Sequence, residues 1–117
     1  MAKYNGLEKL TDTCTTALNE VQRLFDDYQH ACFTARQPEF FSLELCGEAG
    51  ELANLEKKRW KGKAIEHEQF VDEAADVFIA LMNYSNARNI DLASAVAEKL
   101  KRIEEKRKTL ESQGESY

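Results

Sequence analysis

Between Phe41 and Leu55 the chain sets a carboxylate in the middle of an apolar helical stripe, and that conflict limits the possible folds most. The stretch reads FSLELCGEAGELANL. At about 100° per residue, Phe41, Leu45, Leu52 and Leu55 fall on one side of a helix, and Glu48 projects from near the centre of that side. Glu51, three residues on, flanks it. A carboxylate aimed at a core is costly unless positive charge meets it. The stretch DEAADVFIAL at Asp72–Leu81 repeats the pattern. Phe70, Ala74, Val77 and Leu81 form its stripe, Glu73 sits at the edge, and Asp76 stands one turn beyond Glu73. Two E-x-x-[ED] pairs on two helices bring four carboxylates together, and a divalent cation is the charge that would hold them there.

The chain of 117 residues is long enough for one core and too short for two domains, so a single domain over 1–117 is expected, with its core at about 37–107. Five Gly and one Pro are few turn formers for a β-protein, so the expected class is all-α. A net charge of −5 argues against a nucleic-acid polymer or a membrane surface as the main partner. Cys14, Cys32 and Cys46 are odd in number, show no C-x-x-C spacing and lie on or near apolar helical faces. They read as reduced thiols in a cytoplasmic protein without disulfides or zinc. No run of about 18 apolar residues and no signal peptide is evident, so no membrane partner is expected.

Four helices are predicted. Leu7, Leu10, Cys14, Ala17, Val21, Leu24, Tyr28 and Ala31 form a heptad-like seam over about Leu7–Phe33, read most simply as an ordinary core-facing helix and otherwise as one suited to a long partner helix in the same chain or a second subunit. Thr34–Gln37 breaks the pattern, and Pro38 suits the first turn of a second helix, about Pro38–Arg59. Gly47 and Gly50 lie inside that helix, each costing up to about 1 kcal/mol against Ala. A neighbouring helix, a ligand or simple close packing explains them equally well. Gly62 is the expected stop, after a basic cluster of Lys57, Lys58, Arg59, Lys61 and Lys63 around Trp60. The third helix spans about His67–Arg88, with Asn89 as its stop and Asp91 as N-cap of the fourth. The fourth carries Leu92, Val96, Leu100 and Ile103 on one face, with Lys99, Arg102, Lys106 and Arg107 near it. Glu111–Tyr117 is polar and expected to be a disordered tail.

All-carboxylate sites select hard cations, Mg²⁺ or Mn²⁺, over zinc or copper. Mg²⁺ also holds substrate phosphates, and a basic rim beside it closes on phosphate oxygens. An acid clamp with a basic rim is the layout for metal-assisted attack of water on a polyphosphate. The plainer alternatives are solvated acids, since a single E-x-x-E is common on exposed helix faces, and lysines that merely favour a helix C-terminus. Glu44, one turn before Glu48, reads as a fifth acid or, more simply, as a solvated one. His30 and His67 show no spacing with the acids of the kind a di-iron E-x-x-H site needs, and there is no P-loop.

Three stretches together, GEAGELANLEKK at Gly47–Lys58, DEAADVFIAL at Asp72–Leu81 and NIDLASAVAEKL at Asn89–Leu100, resemble the MazG-like family. These are all-α nucleoside triphosphate pyrophosphohydrolases related to dimeric dUTPases and dCTP pyrophosphatase. The resemblance covers about Gln37–Arg107. It implies a four-helix bundle-like fold, active as a homodimer or homotetramer, that hydrolyses (d)NTP to (d)NMP and pyrophosphate in nucleotide-pool house-cleaning. It further implies Glu48, Glu51, Glu73 and Asp76 as Mg²⁺ ligands, with Glu48 and Glu51 also catalytic. Asn54, Lys57 and Lys58 would line the nucleotide side, and Lys99 would reach phosphate from the last helix. Many relatives carry an acid where Gly47 stands, and an Asn common near the end is replaced by Lys101. The aromatic base cage of dCTP pyrophosphatase aligns with Cys32, Lys58 and Ala80, so that cage is absent. Trp60, Tyr84 and Phe33 are candidates to replace it, and Asn83, two turns beyond Asp76, is placed to read sugar or base. Two other readings stand beside this one: a non-catalytic helical interaction module, and an enzyme of the same superfamily acting on another nucleotide such as phosphoribosyl-ATP.

Overall fold

The structure, a computed structural model, describes residues 6–117. Among the described residues it is all-helical, with no strand. The elements are α1 (Leu7–Thr13), a π-helical turn (Cys14–Leu18) continuing directly into α2 (Asn19–Cys32), α3 (Pro38–Trp60), α4 (His67–Ala87) and α5 (Leu92–Ser112). No helix among the described residues is long and apolar enough to cross a membrane.

Local chemistry sets the helix ends. Pro38 opens α3 after an extended Gln37. Gly62, at φ +96°, closes it: the Lys63 N–H donates to the Lys58 carbonyl and the Gly62 N–H to that of Arg59, each at 3.0 Å. Asn89, at φ +59°, does the same for α4, with the Ile90 N–H donating to the Ser85 carbonyl at 2.8 Å. Asp91 caps α5 by accepting from the Ser94 N–H at 3.2 Å. The terminus expected to be disordered instead continues α5 through Ser112. Gly114 then ends the helix as Gly62 ends α3, with the Glu115 N–H donating to the Leu110 carbonyl at 2.8 Å.

The heptad-like seam of the first helix does not survive intact. Thr15 donates its hydroxyl to the Thr11 carbonyl at 2.8 Å and Thr16 to that of Asp12 at 3.0 Å, within and just before the π turn. Such back-bonding loosens the i to i−4 ladder, and the wider π turn takes up an extra residue. Beyond it the seam is rotated. Leu24 and Tyr28, expected on the seam, are 51% and 57% exposed, while Gln22 is buried and Phe25 and Gln29 are half-buried.

The chain forms two compact units. The first comprises residues up to Arg23 together with Asp91–Tyr117, in which α5 packs on α1 and the π turn. Ala93 is fully buried there, and the buried Gln22 accepts the Leu92 N–H at 3.1 Å through its Oε1. Leu92, Val96, Leu100 and Ile103 are half-buried along the expected face of α5.

The second unit, Leu24–Ile90, is built on the antiparallel hairpin of α3 and α4. Phe41 is buried, and Leu45, Leu52 and Leu55 are half-buried, as the stripe on α3 predicts. On α4 the buried arc runs through Phe70, Val77, Ala80 and Tyr84, and Ala74 falls outside it, exposed. Phe25 meets Phe78 edge to face, ring centroids 6.0 Å apart.

Candidate metal centre and adjoining cavity

Glu48 lies on the α3 face that packs against α4, and Glu73 and Asp76 lie on the facing side of α4. Since the helices run antiparallel, these positions come level. One carboxylate oxygen from each of Glu48, Glu73 and Asp76 lies within 4.8 Å of the others, and all three residues are half-buried. The exposed Glu51 stands close enough for its carboxyl to act on Glu73. The two E-x-x-[ED] pairs therefore converge within this unit.

The cluster is electrostatically unsatisfied. Oε2 of Glu48 and Oε2 of Glu73 are sealed from solvent and have no hydrogen-bond partner. Among the described residues no lysine or arginine forms an ion pair with any of the four acids. Glu73 is accordingly pushed up from 4.5 to about 7. The largest cause is proton sharing with the Glu48 carboxyl. Loss of water around the group comes next, then the hydrogen bond and charge of Glu51 and the charge of Glu48. Closely spaced oxygen donors with two orphaned atoms fit a hard divalent cation.

The other expected site residues divide. Asn83 is half-buried on α4, seven residues past Asp76 and close to the same helical line. Asn54, Lys57 and Lys58 are exposed toward the C-terminal end of α3, and Trp60, its last residue, is 85% exposed. Because α3 is continuous through Trp60, Lys57 falls on the side of the helix opposite Glu48, whereas Arg59 lies nearly in line with it. The cation best aligned with the acids is thus one that the family pattern does not assign. Lys99 is exposed on α5, in the first unit. Glycine at 47 and 50 is not required by this chain's own packing, since a Cβ at either would meet nothing within 4 Å.

A feature missed at the sequence level adjoins the acids on the side away from the lysines. A cavity of about 540 Å³ opens over the N-terminal half of α3 and the C-terminal half of α4. Its walls include two edge-to-face aromatic pairs, Tyr28 with Phe33 at 5.3 Å and Phe40 with Phe41 at 5.4 Å between centroids. Arg36 lies over the Phe40 ring, 4.5 Å from its centroid. Gln29, Glu44 and Asn83 supply polar groups to the lining. Glu44 is one turn, about 6 Å, from Glu48, and Asn83 two turns, about 10 Å, from Asp76. The available signal was the crowding of Phe25, Tyr28, Phe33, Phe40 and Phe41 on both sides of the Thr34–Gln37 break.

Comparison of the chain with protein-family models, with curated proteins and with solved structures finds no match.

Proposed function

We propose that the protein is a Mg²⁺-dependent nucleoside triphosphate pyrophosphohydrolase of the MazG-like type, hydrolysing (d)NTP to (d)NMP and pyrophosphate. The observation that carries this reading is the meeting of Glu48, Glu73 and Asp76, with sealed, partnerless oxygens on Glu48 and Glu73. When bound there, Mg²⁺ would neutralise phosphate charge and make the α-phosphorus more electrophilic.

The surroundings supply a direction along the α3–α4 hairpin. The aromatic cavity suits the base and sugar at one end, the acids sit in the middle, and the exposed cations of α3 lie beyond them. Base and α-phosphate of a nucleotide are separated by roughly the one to two helical turns between cavity and acids. Glu48, Glu73 and Asp76 would hold the metal, and Glu51, exposed beside Glu73, accepts the proton of the attacking water. Water oxygen bonds to the α-phosphorus and the bond to the bridging oxygen of the β-phosphate breaks, so pyrophosphate leaves with the electron pair. Asn54, Lys58 and Arg59 receive its charge.

A homodimer or homotetramer belongs to the same reading. Leu43, 74% exposed, stands with Cys46, Gly50 and Ala53 on the side of α3 away from the acids, where nothing in the described chain covers it. The rival, a non-catalytic interaction module, draws support from Glu73 itself. A carboxyl shifted to about 7 partly answers the crowding by holding a proton instead of a metal.

The deciding experiment is incubation with a panel of common and modified (d)NTPs and Mg²⁺, scoring monophosphate and pyrophosphate release. Turnover that is lost in Glu48→Gln and Asp76→Asn, with folding retained, supports the reading. Absence of turnover on every nucleotide, together with no Mg²⁺-dependent thermal shift, would overturn it.

A further inference from the structure

We infer that the aromatic cavity beside the acid cluster selects a guanine-type base, a 2-amino-6-oxopurine, through the carboxylate of Glu44. This rests on the nucleotide reading above and adds which base the site takes.

The cavity offers planar apolar walls and few polar groups. Tyr28, Phe33, Phe40 and Phe41 present ring edges and faces from the end of α2 and the start of α3, an environment that stacks on a flat heterocycle. Its volume, about 540 Å³, accommodates a purine with its sugar. Arg36, the cation in the lining, is engaged on the Phe40 face. The side chains of Gln29, Glu44 and Asn83 have no hydrogen-bond partner among the described residues.

Edge chemistry then discriminates. An ionised carboxylate only accepts hydrogen bonds, and its two oxygens accept best from two donors side by side. Among the common bases, guanine alone sets two donors next to each other, N1–H and the 2-amino group. Adenine and cytosine place their amino group beside a bare ring nitrogen, whose lone pair would face a Glu44 oxygen. Uracil and thymine flank one N–H with two carbonyls. The amides of Asn83 and Gln29 provide the N–H donors that guanine O6 and N7 require. Glu44 is on the same side of α3 as Glu48 and one turn away, so a base held by it leaves its phosphates over the acids.

The test compares kcat/KM for dGTP, dITP, dATP, dCTP and dUTP, and separately titrates dGMP and dIMP calorimetrically in EDTA. Hypoxanthine, the base of dITP and dIMP, differs from guanine only in lacking the 2-amino group. The expected result is dGTP over dITP by at least about 10-fold, with that preference gone in Glu44→Gln, whose amide presents one donor and one acceptor. Equal use of dGTP and dITP, or a base order unchanged in Glu44→Gln, would overturn the inference and leave the hydrolase reading standing. Preferential dGMP binding that Glu44→Gln abolishes, in a protein that hydrolyses nothing, would uphold the inference for the cavity and remove the hydrolase reading instead.

Discussion

Glu48 and Glu73 meet across the α3–α4 hairpin, each with its Oε2 closed off from solvent and facing no donor. Two such groups cannot both be fully charged at neutral pH without a cation, and Glu73 responds by rising to about 7.

The first prediction follows from the sign of that shift. Between the ordinary value of 4.5 and about 7, folded Glu73 keeps a proton that the unfolded chain has released. Its contribution to stability is therefore present below about pH 4.5 and is lost as pH rises through 7. Metal-free protein should lose thermal stability across that window. On the proposed Mg²⁺ reading only the deprotonated cluster takes the cation, so a Mg²⁺-induced rise in Tm should grow from pH 5 to pH 8. Scanning calorimetry in EDTA and in Mg²⁺ at several pH values checks both trends.

Glu48→Gln removes one member of the repelling pair. Metal-free Tm at pH 8 should stay level or rise, and the proposed hydrolase reading expects turnover to fall by at least about 100-fold. Asp76→Asn should lose turnover similarly. Parallel measurement of Tm, Mg²⁺ response and pyrophosphate release separates a lost ligand from a lost fold.

Gly50→Ala probes the far side of α3. An alanine Cβ there meets nothing within 4 Å, so in a lone chain the substitution should stabilise by about 0.5–1 kcal/mol through helix propensity. A fall in Tm together with a smaller mass in solution would instead locate a second subunit on that face. Sedimentation and thermal melts read the two outcomes.

Asp91→Ala removes the side chain that accepts the Ser94 N–H at the start of α5. The expected cost is about 1 kcal/mol in urea-induced unfolding. Asp91→Asn, which keeps an accepting oxygen, should restore most of it.

Helix ends were legible because they depend on one or two residues and their own backbone: Pro38, Gly62, Asn89 and Asp91 each do what their chemistry favours. The convergence of Glu48, Glu73 and Asp76 was legible from a periodicity that a regular helix preserves. The seam of the first helix was not, because the threonine hydroxyls unsettle the turn at Cys14–Leu18 and every later residue is rotated. The resemblance put Lys57 on the nucleotide side of the acids, yet the angle accumulated over the nine residues from Glu48 carries it to the opposite side of α3. The cavity was hidden for another reason. Its walls come from α2, the Thr34–Gln37 connection, α3 and α4, and no local pattern encodes their meeting.

The π turn also makes spacing in this part of the chain as consequential as residue identity. Within the first unit, Gln22 reaches Leu92 from beyond the surplus residue that the π turn absorbs. Deleting any single residue of Cys14–Leu18 would turn the part of α2 in this unit, Asn19–Arg23, by about 100° against α1. Gln22 would be drawn away from the start of α5. Such a loss would act at a distance, through geometry alone, though every side chain touching that contact was still there.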